Sequence, residues 1–318
     1  MSSSRLEKAG EQATYSMRVA TRLTGLSADT IRKWEQRYAA VEPHRTDGNT
    51  RKFSSLDIHR LSLLRELTLR GHHIMDVAAL ENARLEALLA ELDDESGTAA
   101  DGSTDADRSY ARVRSDYLEA IERFDVRRAA DLLSRAAMLL RAEDLALQVV
   151  RPILLEVGER WHRREVSIAH EHLVSAQMRG LLTSVLNWST PQPGAPKIVV
   201  TTPAGHLHEF GTLVGAILAA SRGLEPIYLG PNLPEEEILR AVETTHAHLL
   251  LLSVVRDLGS DERLALSQSL RRMASQVTTW IGVPSSDWFD LSGSDARLFE
   301  SYEQLDMALT QVAAAATR

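Results

Sequence analysis

The chain has 318 residues, of which 44% are hydrophobic and 25% charged, and it contains no cysteine. That length accommodates two or three domains of about 100–150 residues. The composition excludes wholesale disorder, and the missing thiols exclude disulfides, thiolate metal sites, cysteine nucleophiles and iron–sulfur clusters. The longest apolar run, His248-Leu-Leu-Leu-Leu-Ser-Val-Val255, has strand length and falls short of the roughly 18–20 residues of a membrane span. The first residues, Met-Ser-Ser-Ser-Arg-Leu-Glu-Lys, lack an apolar signal segment, so a cytoplasmic location without a membrane partner is expected. The net charge of −8 is unevenly spread: residues 1–75 carry 13 Lys/Arg against 8 Asp/Glu, and the remainder 23 against 36. A basic head on an acidic body suggests that the head alone meets a polyanion.

Residues 1–12 are expected to be disordered. From Tyr15 the pattern is that of a helix-turn-helix: Val19, Ala20 and Leu23 share one helical face, Gly25 is placed to end the helix, and Ser27 to cap a second. The second helix is expected to show Thr30, Arg32, Lys33 and Arg37 on its outer face, suited to a major groove of double-stranded DNA. His44-Arg-Thr-Asp-Gly-Asn-Thr-Arg-Lys-Phe53 reads as a β-hairpin with Asp-Gly at its tip and Arg45, Arg51 and Lys52 on its arms, and Ser54-Ser-Leu-Asp57 as a helix start. An acidic, small-residue stretch follows, read as a flexible linker over 92–109. Residues 110–190 have helical periodicity, and Trp188-Ser-Thr-Pro-Gln-Pro-Gly-Ala-Pro196 forms a proline-rich joint. Over 191–318 strands alternate with helices. Strands are expected at 197–202, 226–229, 248–255 and 278–283, and helices at 209–221, from Pro234 as first helical residue, and at 261–275. Repeated βα units predict a parallel sheet with ligands at the carboxyl ends of its strands.

The order helix-turn-helix, basic wing, Ser-x-x-Asp cap and helix over 13–91 resembles the winged-helix domain of MerR-type transcription regulators. Ile31-Arg-Lys-Trp-Glu35 and Arg51-Lys-Phe53 stand where that family has Leu-Arg-Tyr-Tyr-Glu and Arg-Arg-Tyr. The resemblance makes Arg32, Lys33, Arg45 and Arg51 the first candidates for DNA contact.

Further along, Gly205-His-Leu-His-Glu-Phe-Gly211 is followed after 41 residues by Ser253-Val-Val255, and after another 26 by Gly282-Val283. This spacing resembles the cobalamin-binding signature Asp-x-His-x-x-Gly, Ser-x-Leu, Gly-Gly of a Rossmann-like, flavodoxin-like domain. The resemblance implies that His208 is the lower cobalt ligand. It implies too that Ser253 and Gly282, with the tight loop Leu229-Gly-Pro-Asn-Leu-Pro234, line a slot for the cofactor's nucleotide tail, and that His206, Gly211, Gly230 and Val255 belong to the cofactor site. Three residues depart from the pattern: His206 replaces the acid, Val255 a leucine and Val283 the second glycine. In the helical region, Trp161-His162 and Glu171-His172 resemble the Trp-x9-Glu-His motif of CarH-type light-sensing repressors, whose four-helix bundle caps the upper face of adenosylcobalamin. Carried over, Trp161 covers the adenosyl group, Glu171 and His172 wall its pocket, and His162 takes the cobalt after light.

The expectation is a multidomain α and α/β protein that senses light without turning over a substrate. It is expected to be a repressor that binds promoter DNA as a dark dimer or tetramer. Other readings stay open on the residues: a cobalamin-independent regulator controlled by a protein partner or another tetrapyrrole, and a methyl-carrying corrinoid subunit.

Overall fold

The computed structural model describes residues 15–46, 48–94 and 105–316. The N-terminal segment expected to be disordered, the Asp47 tip of the expected hairpin and residues 95–104 of the expected linker lie outside the described residues. Two compact units are present, one ending at Met178 and one beginning at Arg179.

The first unit opens with β1 (Tyr15–Ser16) and helix α1 (Met17–Thr24). Gly25 ends α1 in the left-handed conformation, φ +68°, its amide donating to the Thr21 carbonyl. Ser27 then caps α2 (Ala28–Tyr38) by accepting the Thr30 amide. Strands β2 (His44–Arg45) and β3 (Arg51–Phe53) form the wing, and β3 also pairs with β1 to give an antiparallel order β1-β3-β2. Ser54 and Asp57 make the expected reciprocal cap at the start of α3 (Ser55–Leu69), and the short α4 (Ile74–Val77) and α5 (Asn82–Asp94) follow. The core of this head is Ala20, Ile31, Trp34, Phe53, Leu61, Leu64, Leu67 and Leu85. Leu23, expected on the buried face of α1, is exposed; Thr24 is buried in its stead and bonds back to the Ala20 carbonyl. Arg60 ties the head together by donating to the carbonyls of Ala40, Ala78 and Leu80 and to Asn82 Oδ1.

Four helical segments follow: α6 (Asp105–Glu122), α7 (Val126–Leu139), a continuous run of α8 (Ala142–Asp144), a π-helical stretch Leu145–Val150 and α9 (Arg151–His162), and then α10 (Ile168–Asn187). The expected linker is thus helical at both described ends, because α5 continues to Asp94 and α6 begins at Asp105. Pro152 has no amide to offer four residues back, and the Gln148 carbonyl is instead satisfied by Arg114 Nη1 at 2.7 Å. The turn Gly25–Ser27 lies against the end of α7: Ser27 N–H donates to the Leu139 carbonyl, Arg141 N–H to the Gly25 carbonyl, and Leu26 bridges Leu140.

The second unit is a five-stranded parallel sheet of β4 (Lys197–Thr201), β5 (Glu225–Tyr228), β6 (Leu249–Ser253), β7 (Thr278–Gly282) and β8 (Ala296–Phe299), in the order β5-β4-β6-β7-β8. Helices α11 (Phe210–Ser221), α12 (Glu235–Thr245), α13 (Ser260–Ala274) and α14 (Tyr302–Ala316) cover it. Strand β8 was not expected. Its four residues include Arg297 and follow a polar, glycine-containing stretch, so no apolar run announces it. Pro234 caps α12 rather than opening it. Side chains alternate between the two faces: on β6, Leu251 reaches Gly215 on α11, whereas Leu250 and Leu252 join an apolar cluster with Ile238 of α12 and Leu270 of α13.

A Cβ at Gly25 would stand 3.0 Å from the Tyr110 hydroxyl, in a backbone conformation that L-residues disfavour. Gly25→Ala is expected to destabilise the first unit by about 1 kcal/mol or more in urea denaturation.

Candidate functional site

On the head, Arg32, Lys33 and Arg37 are exposed on α2. Arg32 pairs with Asp29 at 3.0 Å, an open ion pair worth little and readily exchanged for a phosphate. On the wing, Arg45 Nη2 and Arg51 Nε grip opposite oxygens of Glu35 at 3.1 and 2.6 Å, and Arg45 Nη1 donates to Asn49 Oδ1. Lys52 is half-buried beside them. Glu35 thus clamps the wing to the reading helix, a positioning role that the sequence analysis missed although the residue ends the quoted Ile31–Glu35 motif. Thr30 is a correction. It is only 7% exposed, and its hydroxyl donates to the Met138 carbonyl at 2.7 Å, so it lies against α7 and not on an open outer face.

In the helical domain Trp161 sits in the last turn of α9 and is 44% exposed, its ring edge-on to His162 with centroids 5.2 Å apart. Nearly half of a large apolar side chain is thus left in water at this helix end. Glu171, in the first turn of α10, accepts from Ser175 Oγ at 2.7 Å and lies 3.2 Å from His172 Nδ1, which leaves His172 exposed. Two further aromatics escaped the sequence analysis: the half-exposed Phe124, in left-handed backbone at the α6–α7 corner, stacks on His170 at 4.1 Å.

In the α/β unit the signature residues gather at the carboxyl ends of the strands. Ser253 is paired with Gly282, and a Cβ on Gly211 would meet Ser253 Oγ at 2.7 Å, so a side chain at 211 would force the serine or the start of α11 to shift. Gly230, φ +79°, turns its carbonyl to Thr201 Oγ1. Val255 is exposed after β6. Val283 points away from Ser253, into the apolar cluster beneath α12 and α13, so it does not enter the slot. The β4–α11 loop is anchored at each turn: Thr202 Oγ1 donates to the His206 carbonyl and accepts the Asn232 amide, and Asn232 Oδ1 accepts the Gly205 amide.

The two loop histidines live in opposite environments. His208 is exposed, whereas His206 is 4% exposed, with Nδ1 lacking any hydrogen-bond partner. Burial first, and then Arg256, lower the His206 pKa, so the ring is neutral at pH 7. It therefore cannot supply the negative charge that an acid would bring two residues before a metal-binding imidazole. The buried carboxylate of this loop is instead Glu209, which sequence analysis passed over. It accepts from Arg179 Nε and from the Tyr228 hydroxyl, and Tyr228 is held protonated, by burial first and then by that bond. Its signal was a charged residue at a helix N-terminus, where a carboxylate is favoured.

Residues 15–83 match the MerR HTH family regulatory proteins and 113–185 the B12 binding domain. The HTH-type transcriptional repressor CarH of Myxococcus xanthus is 29% identical over 85% of this chain and 89% of its own length. The chain is a CarH-like MerR/B12 regulator. The repressor CarA of the same organism is 27% identical over 85% of this chain and 86% of its own. The solved Methanosarcina barkeri monomethylamine corrinoid protein is similar over 64% of this chain and 99% of that one, at 17% identity and a TM-score of 0.48. Among the described residues of the regulator, no helix is long and apolar enough to cross a membrane.

The regulator's residues suit a corrinoid. One exposed imidazole at the strand ends is a good donor for a transition metal whose other positions a macrocycle fills, and the close approach of Gly211 to Ser253, itself paired with Gly282, leaves the strand ends free of bulky side chains. Glu209→Gln is expected to lower the stability of the α/β unit by about 1–3 kcal/mol, since Arg179 loses its ionic partner; thermal unfolding of the full chain measures it.

Proposed function

We propose that this MerR/B12 transcription repressor uses adenosylcobalamin as a light sensor and releases its promoter when illuminated. The observation that carries the reading is the exposed Trp161–His162 pair with Glu171–His172 opening the following helix, on a domain joined to a DNA-reading head. When bound, adenosylcobalamin would supply a cobalt–carbon bond that light breaks. His208 is the proposed lower ligand, offered from a loop that Thr202, Asn232 and Glu209 hold in place. Gly211, Gly230, Ser253 and Gly282 keep the strand ends free of bulk for the nucleotide tail. Trp161 offers an apolar plane to the adenosyl group, and Glu171, steadied by Ser175, an acceptor for its hydroxyls. His162 is the nitrogen donor proposed for the illuminated state.

On the DNA side, Arg32, Lys33, Arg37, Arg45, Arg51 and Lys52 supply the cationic surface for phosphates and base edges. Assembly into a dark dimer or tetramer would put several heads on adjacent sites, and its loss can cost about 10²–10⁴ in affinity with every DNA contact unchanged. A second reading, a cobalamin-independent regulator answering to a protein partner, is favoured by one observation: His206 stands neutral and buried where an acid is usual.

The full chain, loaded with adenosylcobalamin in the dark, is expected to show a corrinoid spectrum and a multiple of the 35.2 kDa chain mass, and to lose both the assembly and its promoter complex under green light. Failure to take up the cofactor, or an unchanged mass after light, would sink the proposal. His208→Ala is expected to abolish dark DNA binding; intact binding in that variant favours the partner-controlled reading. Arg51→Ala is expected to weaken binding to all sequences alike and to reduce the slope of log affinity against log salt by about one.

A further inference from the structure

The α/β unit holds a second concavity that the cobalamin signature does not use. It is a cavity of about 450 Å³, within the usual range for small-molecule sites, between α12 and α13 at the carboxyl ends of β4 and β6. The alternation along β6 puts it on the other side of the sheet from the signature. Ser253 and Leu251 face α11, where Gly211 and Gly215 meet them; Leu250, Leu252 and Val254 face the opposite way, into the apolar cluster that contains Ile238, Leu258 and Met273. Those three residues line the cavity, with Pro203, Pro234 and Leu266 completing its apolar walls.

Its polar lining consists of His206, Arg256 and Glu262, together with Glu235 and Ser269. The His206 ring is buried, and its Nδ1 finds no partner in the protein, a costly arrangement for a group that water or a ligand would satisfy. Glu262 is committed: it accepts the Gly259 amide at the start of α13 and one Arg256 Nη2 bond at 3.1 Å. Arg256 keeps further N–H donors beyond that bond. Glu235, at the start of α12, is committed too: it bonds to Ser269 and Arg272 and latches α12 to α13, so the gap between them is built and not a product of loose packing.

We propose that this cavity is a small-molecule site separate from the cobalamin groove, and that it takes a planar, mostly apolar carboxylic acid of one- or two-ring size. The ring lies against Ile238, Leu258, Leu266 and Met273. The carboxylate accepts from Arg256 and from His206 in its Nδ1–H tautomer.

The test uses the full chain without cobalamin and 2-naphthoate as the probe, followed by calorimetry and by the histidine ring resonances in NMR. The expected result is saturable one-to-one binding with a shift of the His206 ring signals, at least tenfold weaker for neutral 2-naphthamide. Arg256→Gln and Ala265→Trp, both at exposed positions, are each expected to weaken 2-naphthoate at least tenfold while leaving cobalamin uptake unchanged. No saturable binding, equal affinity in the Ala265→Trp variant, or equal affinity for the amide would overturn the proposal. So would displacement of naphthoate by cobalamin, which would place the probe in the cofactor groove.

Discussion

The chemistry of the α/β unit depends on one close approach: α11 begins in direct contact with the end of β6 because Gly211 has no side chain to hold it away from Ser253. Everything in the preceding loop follows from where that helix starts. Glu209, the residue before it, is drawn inward and fixed by Arg179 and Tyr228, while Thr202 and Asn232 pin the other end of the loop. Between the anchored ends, Thr202 and Glu209, six residues have little freedom, and the two histidines are sorted by position alone. His206 is turned in among groups from α13, and His208 is left outside. A loop this constrained presents an imidazole with small reorganisation cost, which is what binding to a bulky cofactor rewards.

The head is governed by a different constraint, the pairing of its turn with the helical domain. Leu26 is fully buried against Leu140, and three backbone or side-chain donors cross from one element to the other. Tyr110, whose hydroxyl approaches Gly25, is raised to about 12 by burial and then by Asp144, so it stays neutral at this junction. The start of the reading helix is therefore packed on protein, while its exposed cations lie further along, at Arg32, Lys33 and Arg37. Glu35 adds a second level of order by holding two wing arginines at fixed spacing. Part of their charge is thereby neutralised, and a phosphate that displaces Glu35 must recover that interaction before it adds affinity.

Much of this was legible in the sequence, for identifiable reasons. Gly25 and Ser27 are read correctly because capping is local: a left-handed residue and a side-chain acceptor act within one turn. The spacing from Gly211 to Ser253 and Gly282 is readable because successive βα units return the chain to the same edge of the sheet. What was not legible is tertiary. Thr30 is polar and periodic with Lys33 and Arg37, and only the arrival of α7 reassigns it. Leu23 was placed inward by periodicity, yet in so short a helix Thr24 takes the buried place by bonding to its own backbone. Val283 and Gly282 are neighbours in sequence and belong to opposite faces, a division that a motif written as a string conceals. Glu209 needed both partners, Arg179 and Tyr228, to be recognised as a structural carboxylate.

The exposed aromatic of the helical domain closes the physical argument. Leaving nearly half of an indole in water forgoes about 2 kcal/mol of burial, and folding of the first unit gains nothing visible from it. Val174, Met178 and Leu182 on α10 show that this domain buries apolar side chains efficiently where they serve the core. Trp161 stands outside that packing, as do Phe124 in its left-handed corner, Leu155, Ile168 and Trp188. Local departures of this kind collect where a structure has been shaped for something outside itself. His206, buried with its Nδ1 unpartnered on the far side of the sheet from Ser253, is a departure of the polar kind in the second unit.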